Sequence, residues 1–162
     1  MSISNASDTY LTPSGKELFL TPISTEKCVD IAALEKQCFS EPWSLSSFVE
    51  MTQLDYVTTV AMADAEGIVY GYALASLVID TAEILNIATH PCMRKQGIGR
   101  KMISYLHNML GKKGCRECFL EVREHNAPAI MLYEKMGYYP ISVRKNYYKN
   151  PKENAIIMHK VF

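Results

Sequence analysis

The chain has 162 residues, 48% of them hydrophobic, with 17 basic and 17 acidic side chains. That length suits one domain and the apolar share is too high for a disordered chain, while a formal net charge of zero argues against a general nucleic-acid binder and leaves room only for a local basic patch. The longest apolar stretch, Ile68 to Ile79, is interrupted by Gly71 and falls short of the roughly 18–20 residues of a membrane span; the opening MSISNASDTY lacks the charged start and apolar core of a signal peptide, and five cysteines, an odd number, read as reduced thiols of a cytoplasmic protein.

In chain order, residues 1–17 are polar, carry Pro13 and Gly15, and predict a flexible N-terminal arm, with residues 18–162 as a single domain. Leu18 to Ile23 is a short strand candidate. Ser24 or Thr25 can cap a helix through Val29, Ile31, Leu34 and Cys38, whose apolar spacing is near 3.6. Glu41-Pro42-Trp43 is a loop holding the only Trp, and Ser44 is a good N-cap for a short helix through Phe48 and Met51. Tyr56–Ala63 and Ile68–Ile79 read as strands joined by a turn at Asp64–Gly67, and Thr81–Thr89 as a third, stopped at His90-Pro91.

A glycine loop then opens a helix over Gly97–Lys113 with an apolar stripe of Ile98, Met102, Tyr105, Leu106, Met109 and Leu110. Glu117–Glu124 is a further strand. Asn126 caps a helix through Ile130, Tyr133 and Met136 that stops at Gly137. Tyr139–Val143 and Ala155–Val161 close the chain as strands, joined by a turn-rich linker over Asn146–Asn154. This order predicts a mixed α/β domain with a strand meander at its centre.

The segment Arg94-Lys95-Gln96-Gly97-Ile98-Gly99-Arg100-Lys101 carries the most chemistry. Two glycines allow close approach of backbone to ligand, free N–H groups at a helix start favour an anion, and four basic side chains add to the same field. A phosphate-bearing ligand is the physical expectation; a helix start with solvated charges fits the same letters. The loop is not a P-loop, and Met102 stands where a dinucleotide fingerprint has its third glycine.

Arg94-x-x-Gly97-x-Gly99 resembles the acetyl-CoA loop of the GNAT acetyltransferases, Q/R-x-x-G-x-G/A. Glu83-Ile-Leu-Asn-Ile-Ala88, Leu120-Glu-Val-Arg123, Asn126-Ala-Pro-Ala-Ile130, Leu132-Tyr-Glu-Lys-Met-Gly137 and Arg144-Lys-Asn-Tyr-Tyr148 resemble the RimI branch, the ribosomal-protein alanine N-acetyltransferases. The resemblance runs from about residue 18 to 162. It implies the GNAT fold: a mixed, mostly antiparallel sheet of about seven strands, about four flanking helices, and a splayed strand pair that binds acetyl-CoA. On that pattern Ile87, Ala88 and Thr89 would hold the pantetheine arm and thioester through backbone groups. Lys95, Gln96, Gly97, Ile98, Gly99 and Arg100 would hold the pyrophosphate. Asn126 would contact the cofactor, act as an N-cap, or do both.

Acetyl transfer to an amine poses two proton problems: an α-amine of pKa near 8 is mostly protonated at neutral pH, and the departing thiolate needs a proton. Glu121, mid-strand between Leu120 and Val122, matches the family's general base; the alternative is an edge carboxylate facing solvent or pairing with Arg123. Tyr133 matches the general acid, a phenol of ordinary pKa near 10 against a thiol near 8.5, unless it is simply a core tyrosine. Glu83 reads as a supporting carboxylate.

Trp43, Tyr147 and Tyr148 resemble the two walls of the acceptor-peptide groove, with a core anchor as the alternative for Trp43. Here the chain departs from its relatives: their E-D-A after the tyrosines reads Glu153-Asn154-Ala155, which removes a possible carboxylate partner for a basic acceptor. Cys115-x-x-Cys118 has no second ligand pair for zinc and runs into a strand rather than opening a helix, so no metal is expected. The implied activity is an acetyl-CoA-dependent transfer to a protein N-terminus, such as that of a small-subunit ribosomal protein, by direct attack in a ternary complex. The alternatives are a small amine or lysine acceptor, or a non-catalytic acetyl-CoA-binding module. The expected chain is a monomer or weak dimer without nucleic-acid or membrane partners.

Overall fold

The structure, a computed structural model, describes residues 8–162. The strands are β1 (Thr9–Leu11), β2 (Glu17–Thr21), β3 (Val57–Ala63), β4 (Val69–Val78), β5 (Thr81–Thr89), β6 (Glu117–Arg123), β7 (Tyr139–Lys149) and β8 (Lys152–Val161), with buried and half-buried side chains alternating most regularly along β6. They form one eight-stranded sheet in the order β1-β2-β3-β4-β5-β6-β8-β7. Every neighbouring pair is antiparallel except β5 and β6.

Four helices cover the sheet: α1 (Cys28–Cys38), α2 (Leu45–Thr52), α3 (Ile98–Lys112) and α4 (Ala127–Lys135). The Ser44 hydroxyl accepts the Ser47 N–H at 3.2 Å and starts α2, while the Asn126 side chain accepts the Ala129 N–H at 3.3 Å and starts α4. α3 buries Ile98, Met102, Ile103, Leu106 and Leu110 on one face of the sheet, where Tyr133 of α4 joins the same cluster. Each such side chain contributes roughly 1.5–3 kcal/mol by leaving water. α1 and α2 bury Ile31, Leu34 and Phe48 on the opposite face. Among the described residues, no helix is long and apolar enough to cross a membrane.

Two expectations are corrected. From Thr9 the arm expected over residues 1–17 is a strand: Thr9, Tyr10 and Leu11 pair with Phe19, Leu18 and Glu17, and Tyr10 packs against the α3-side core. The part before Asp8 lies outside the described residues. The linker expected over Asn146–Asn154 is instead the far end of a long hairpin, in which Tyr148 pairs with Glu153 and Lys149 with Lys152. Its polar letters disguise strand because β7 lies at the sheet edge and is exposed along nearly its whole length.

The strand pair that matters for function is β5–β6. Only Thr81, Ala82 and Glu83 pair with Glu117, Cys118 and Phe119; beyond them the two strands part. The register between β4 and β5 also shifts there, since Leu74 faces Asn86 but Ala75 faces Ile84, leaving Leu85 as an extra residue. A bulge of this kind bends and twists its strand, which turns β5 away from β6.

Candidate active site at the parting of two strands

One side of the parting is built from backbone. Ile87, Ala88 and Thr89 are held from behind by β4, through Ala73, Tyr72 and Gly71. The chain then turns through Lys95 at φ 60° and Gly97 at φ 79° before α3 begins. Gly97 is the N-cap of α3 and supplies no side chain to its free amides, so they are open to an anion. A side chain at Gly97 would strike the Tyr10 hydroxyl, and one at Gly99 would lie 3.0 Å from the Leu132 side chain. Arg94, Lys95 and Arg100 are exposed around this turn, and Lys101 is half-buried.

The N-terminal hairpin braces the loop. The Tyr10 hydroxyl donates to the Gln96 carbonyl at 2.8 Å, and the Ser14 N–H donates to Gln96 Oε1 at 3.1 Å. Nothing in the sequence beyond a single tyrosine in a polar stretch signalled this grip.

The other side is built from side chains. Glu83, Glu121 and Arg144 line an open cavity of about 560 Å³, together with the apolar Phe119, Ile141 and Ile157. Arg144 Nη1 lies 3.2 Å from Glu121 Oε1, and Glu121 together with burial raises the Tyr147 phenol above its ordinary value. Desolvation and then the charge of Glu121 raise the proton affinity of the Glu83 carboxyl, with Arg144 opposing. Arg123 does not pair with Glu121. Its guanidinium donates to the carbonyls of Pro151 at 3.0 Å and Asn150 at 3.1 Å, meets Glu153 at 3.3 Å, and sits over the Tyr148 ring at 4.2 Å.

Tyr133 is 6% exposed and meets Tyr138 edge-on, with ring centroids 6.0 Å apart. Burial, with a smaller contribution from Tyr148, pushes its phenol well above the ordinary tyrosine range. The mismatch with a thiol is therefore larger than the ordinary values suggest, and the phenol stays protonated at neutral pH as a hydrogen-bond donor. The Tyr148 hydroxyl is pushed up to about 12 by burial and then by the charge of Glu121.

A family model described as "Acetyltransferase (GNAT) family" matches residues 28–138. The chain is 33% identical over 144 residues to the [Ribosomal protein bS18]-alanine N-acetyltransferase of Escherichia coli K12, covering 86% of this chain and 96% of that one. It is 36% identical over 126 residues to a putative enzyme of the same name from Bacillus subtilis, covering 77% and 83%. The crystal structure of the Escherichia coli ribosomal-protein-S18-alanine N-acetyltransferase superposes with a TM-score of 0.82 at 31% identity, covering 89% of this chain and 93% of that one. The chain belongs to the GNAT acetyltransferase family.

Ile87, Ala88 and Thr89 lie on β5 beyond its pairing with β6, and residues 95–100 form the turn into α3, while Glu121 lies on β6 and Tyr147 and Tyr148 on β7. Asn126 performs its capping role on exposed ground. Trp43 is half-buried and packs on Phe48 at 5.4 Å, so much of its ring serves the core beneath α2. The α1–α2 loop and the β7–β8 hairpin touch: the Ser40 hydroxyl, before Trp43, donates to the carbonyl of Asn150.

Asn154 has a specific task in this GNAT chain. Its Oδ1 accepts the Asn146 N–H at 2.8 Å and its Nδ2 donates to Glu124 at 3.2 Å, so it braces the bulge that carries Tyr147. An aspartate there has no N–H to offer Glu124. Cys115 and Cys118 are buried free thiols; burial raises both, Cys118 to about 11, and keeps them protonated.

Proposed function

We propose that this acetyltransferase moves the acetyl group of acetyl-CoA to the N-terminal α-amine of a protein, with a ribosomal protein as the acceptor, as named for its relatives. The observation that supports this reading is Glu121, which lines the cavity beside the parting of β5 and β6 with Arg144, Tyr147 and Glu83 around it. A non-catalytic acetyl-CoA module has no use for such a carboxylate.

The chain fits the cofactor chemically. Open amides at the start of α3 and four nearby cations suit a pyrophosphate, and the unpaired run of β5 suits an extended pantetheine arm. Acetyl-CoA supplies an activated acetyl thioester. Backbone groups of Ile87, Ala88 and Thr89 hold and polarise its carbonyl. Glu83 and Glu121 draw in the cationic amine, and Glu121 takes its proton, directly or through water, so that the free amine attacks. Arg144 and Tyr147 orient that carboxylate. Tyr133 donates to the sulfur as it leaves. Trp43, Tyr147 and Tyr148 flank the entering chain end.

The test is to incubate the protein with acetyl-CoA and peptides beginning with alanine, and to read the products by mass spectrometry. Acetylation at the α-amine is expected, with no reaction on polyamines or on lysines of N-terminally blocked peptides. Turnover of polyamines or lysine side chains in preference would replace the acceptor reading, and no turnover of any amine would sink the enzymatic one.

A further inference from the structure

Glu35 is an acid in the last turns of α1, is 1% exposed, and is absent from any catalytic role so far described. Its carboxylate accepts from three residues. The backbone N–H of Trp43 donates to Oε1 at 3.0 Å, the Asn86 side-chain amide donates to both oxygens at 3.1 Å, and the Tyr72 hydroxyl donates to Oε2. Removing an acceptor that meets several convergent donors strands those buried donors.

Those donors come from separate parts of the site. Trp43 stands in the α1–α2 loop at the acceptor wall. Asn86 stands on β5 just past the bulge, where that strand has left β6 and next to the residues assigned to the thioester. Tyr72 stands on β4 beneath them and is fully buried. Glu35 is thus a common point of attachment for the wall that meets the acceptor and the strand that would hold the acetyl donor.

We infer that Glu35 is a positioning residue that fixes the acceptor wall to the parted strand, and so sets where the acceptor's amine stands relative to the thioester. The inference rests on the transferase reading above, but one of its tests does not need turnover. Trp43 is the only tryptophan in the chain, so its fluorescence reports on this loop directly.

Glu35→Gln places an amide N–H among donors. The expected result is a peptide KM raised about tenfold, acetyl-CoA affinity nearly unchanged, and Trp43 more open to acrylamide quenching. In Glu35→Gln with Asn86→Asp, the amide of residue 35 donates to the new carboxylate while its oxygen still accepts the Trp43 N–H. This exchange should restore most of the peptide KM and the quenching. If Glu35→Gln does not fold, Asn86→Ala, which leaves the Trp43 and Tyr72 bonds intact, should show the same KM rise in smaller measure. Parent-like KM and quenching in the folded variants would overturn the inference, as would an equal loss of acetyl-CoA affinity or a double variant no better than the single one. A parent that acetylates no amine would count against the transferase reading instead, with the quenching comparison still deciding the role of Glu35.

Discussion

From Thr89 to Ile98 the chain presents backbone to its cleft, whereas from Ile141 to Tyr148 it presents side chains. The first stretch is fixed by a ladder to β4, a left-handed turn at Gly97 and the buried face of α3. The second runs along an exposed sheet edge, and its shape depends on Arg144 on Glu121, Arg123 on Glu153 and Tyr148, and Asn154 under a bulge. Backbone sites suit a ligand that never changes, because close packing leaves them little freedom. Side-chain sites on an edge strand can be altered without disturbing the core, which suits a half that would recognise the acceptor under the proposed function.

Chemistry divides along the same line, and the largest expected effect tests it. Glu121→Gln should lower kcat about 100- to 1,000-fold while acetyl-CoA binding, measured by calorimetry, stays near the parent value. A comparable loss of acetyl-CoA affinity would show that the two halves are not separable. Tyr133→Phe keeps the buried ring and its contact with Tyr138 but withdraws the hydroxyl. Its loss in kcat should be smaller, roughly 10- to 100-fold, because a phenol whose proton affinity burial has raised helps the leaving thiolate more by hydrogen bonding than by full transfer.

On the backbone side, Gly97→Ala should act through binding and stability. A Cβ at φ 79° is strained by about 1–2 kcal/mol, and here it also meets the Tyr10 hydroxyl. Acetyl-CoA affinity and Tm should both fall, with the peptide KM unmoved. Adding Tyr10→Phe relieves the hydroxyl contact but gives up the bond to the Gln96 carbonyl and leaves the backbone strain, so only part of the Tm should return. Full return would mean that the left-handed turn at Gly97 carries no strain of its own.

The backbone half was also the more legible half. Gly97 and Gly99 between a strand and an amphipathic stripe are local signals, and α3 buries the stripe they announce. Glu121 and Tyr133 stand out as candidates only through short motifs of a known branch. Tyr10, Glu35 and the Ser40–Asn150 contact were not legible, because each acts on a residue 8 to 110 positions away. Hydrophobic period carries no record of such pairings. The β7–β8 hairpin was under-read for a related reason: alternation between buried and exposed residues marks a strand only when one face is buried, and β7 buries almost nothing.

The smallest effect concerns Glu83, and it probes whether the cavity it shares with Glu121 and Arg144 is held under electrostatic tension. Desolvation, then the charge of Glu121, make its folded carboxyl bind a proton more tightly than the ordinary value of 4.5, and Arg144 only partly offsets them. A carboxyl raised in this way is neutral in effect below its unfolded pKa. It reduces stability as pH rises from that value through its folded one, and the full penalty remains at neutral pH. Glu83→Gln removes the titrating group, so the Tm should rise by ~1 °C near pH 7 and match the parent in acid below the ordinary glutamate pKa. Arg144→Ala should move the parent the other way at neutral pH, since it withdraws the one charge that favours ionised Glu83. If Glu83→Gln instead lowers the Tm at neutral pH, Glu83 is a net partner of Arg144, and the cavity is a balanced ion cluster rather than one with spare negative charge for an incoming ammonium group.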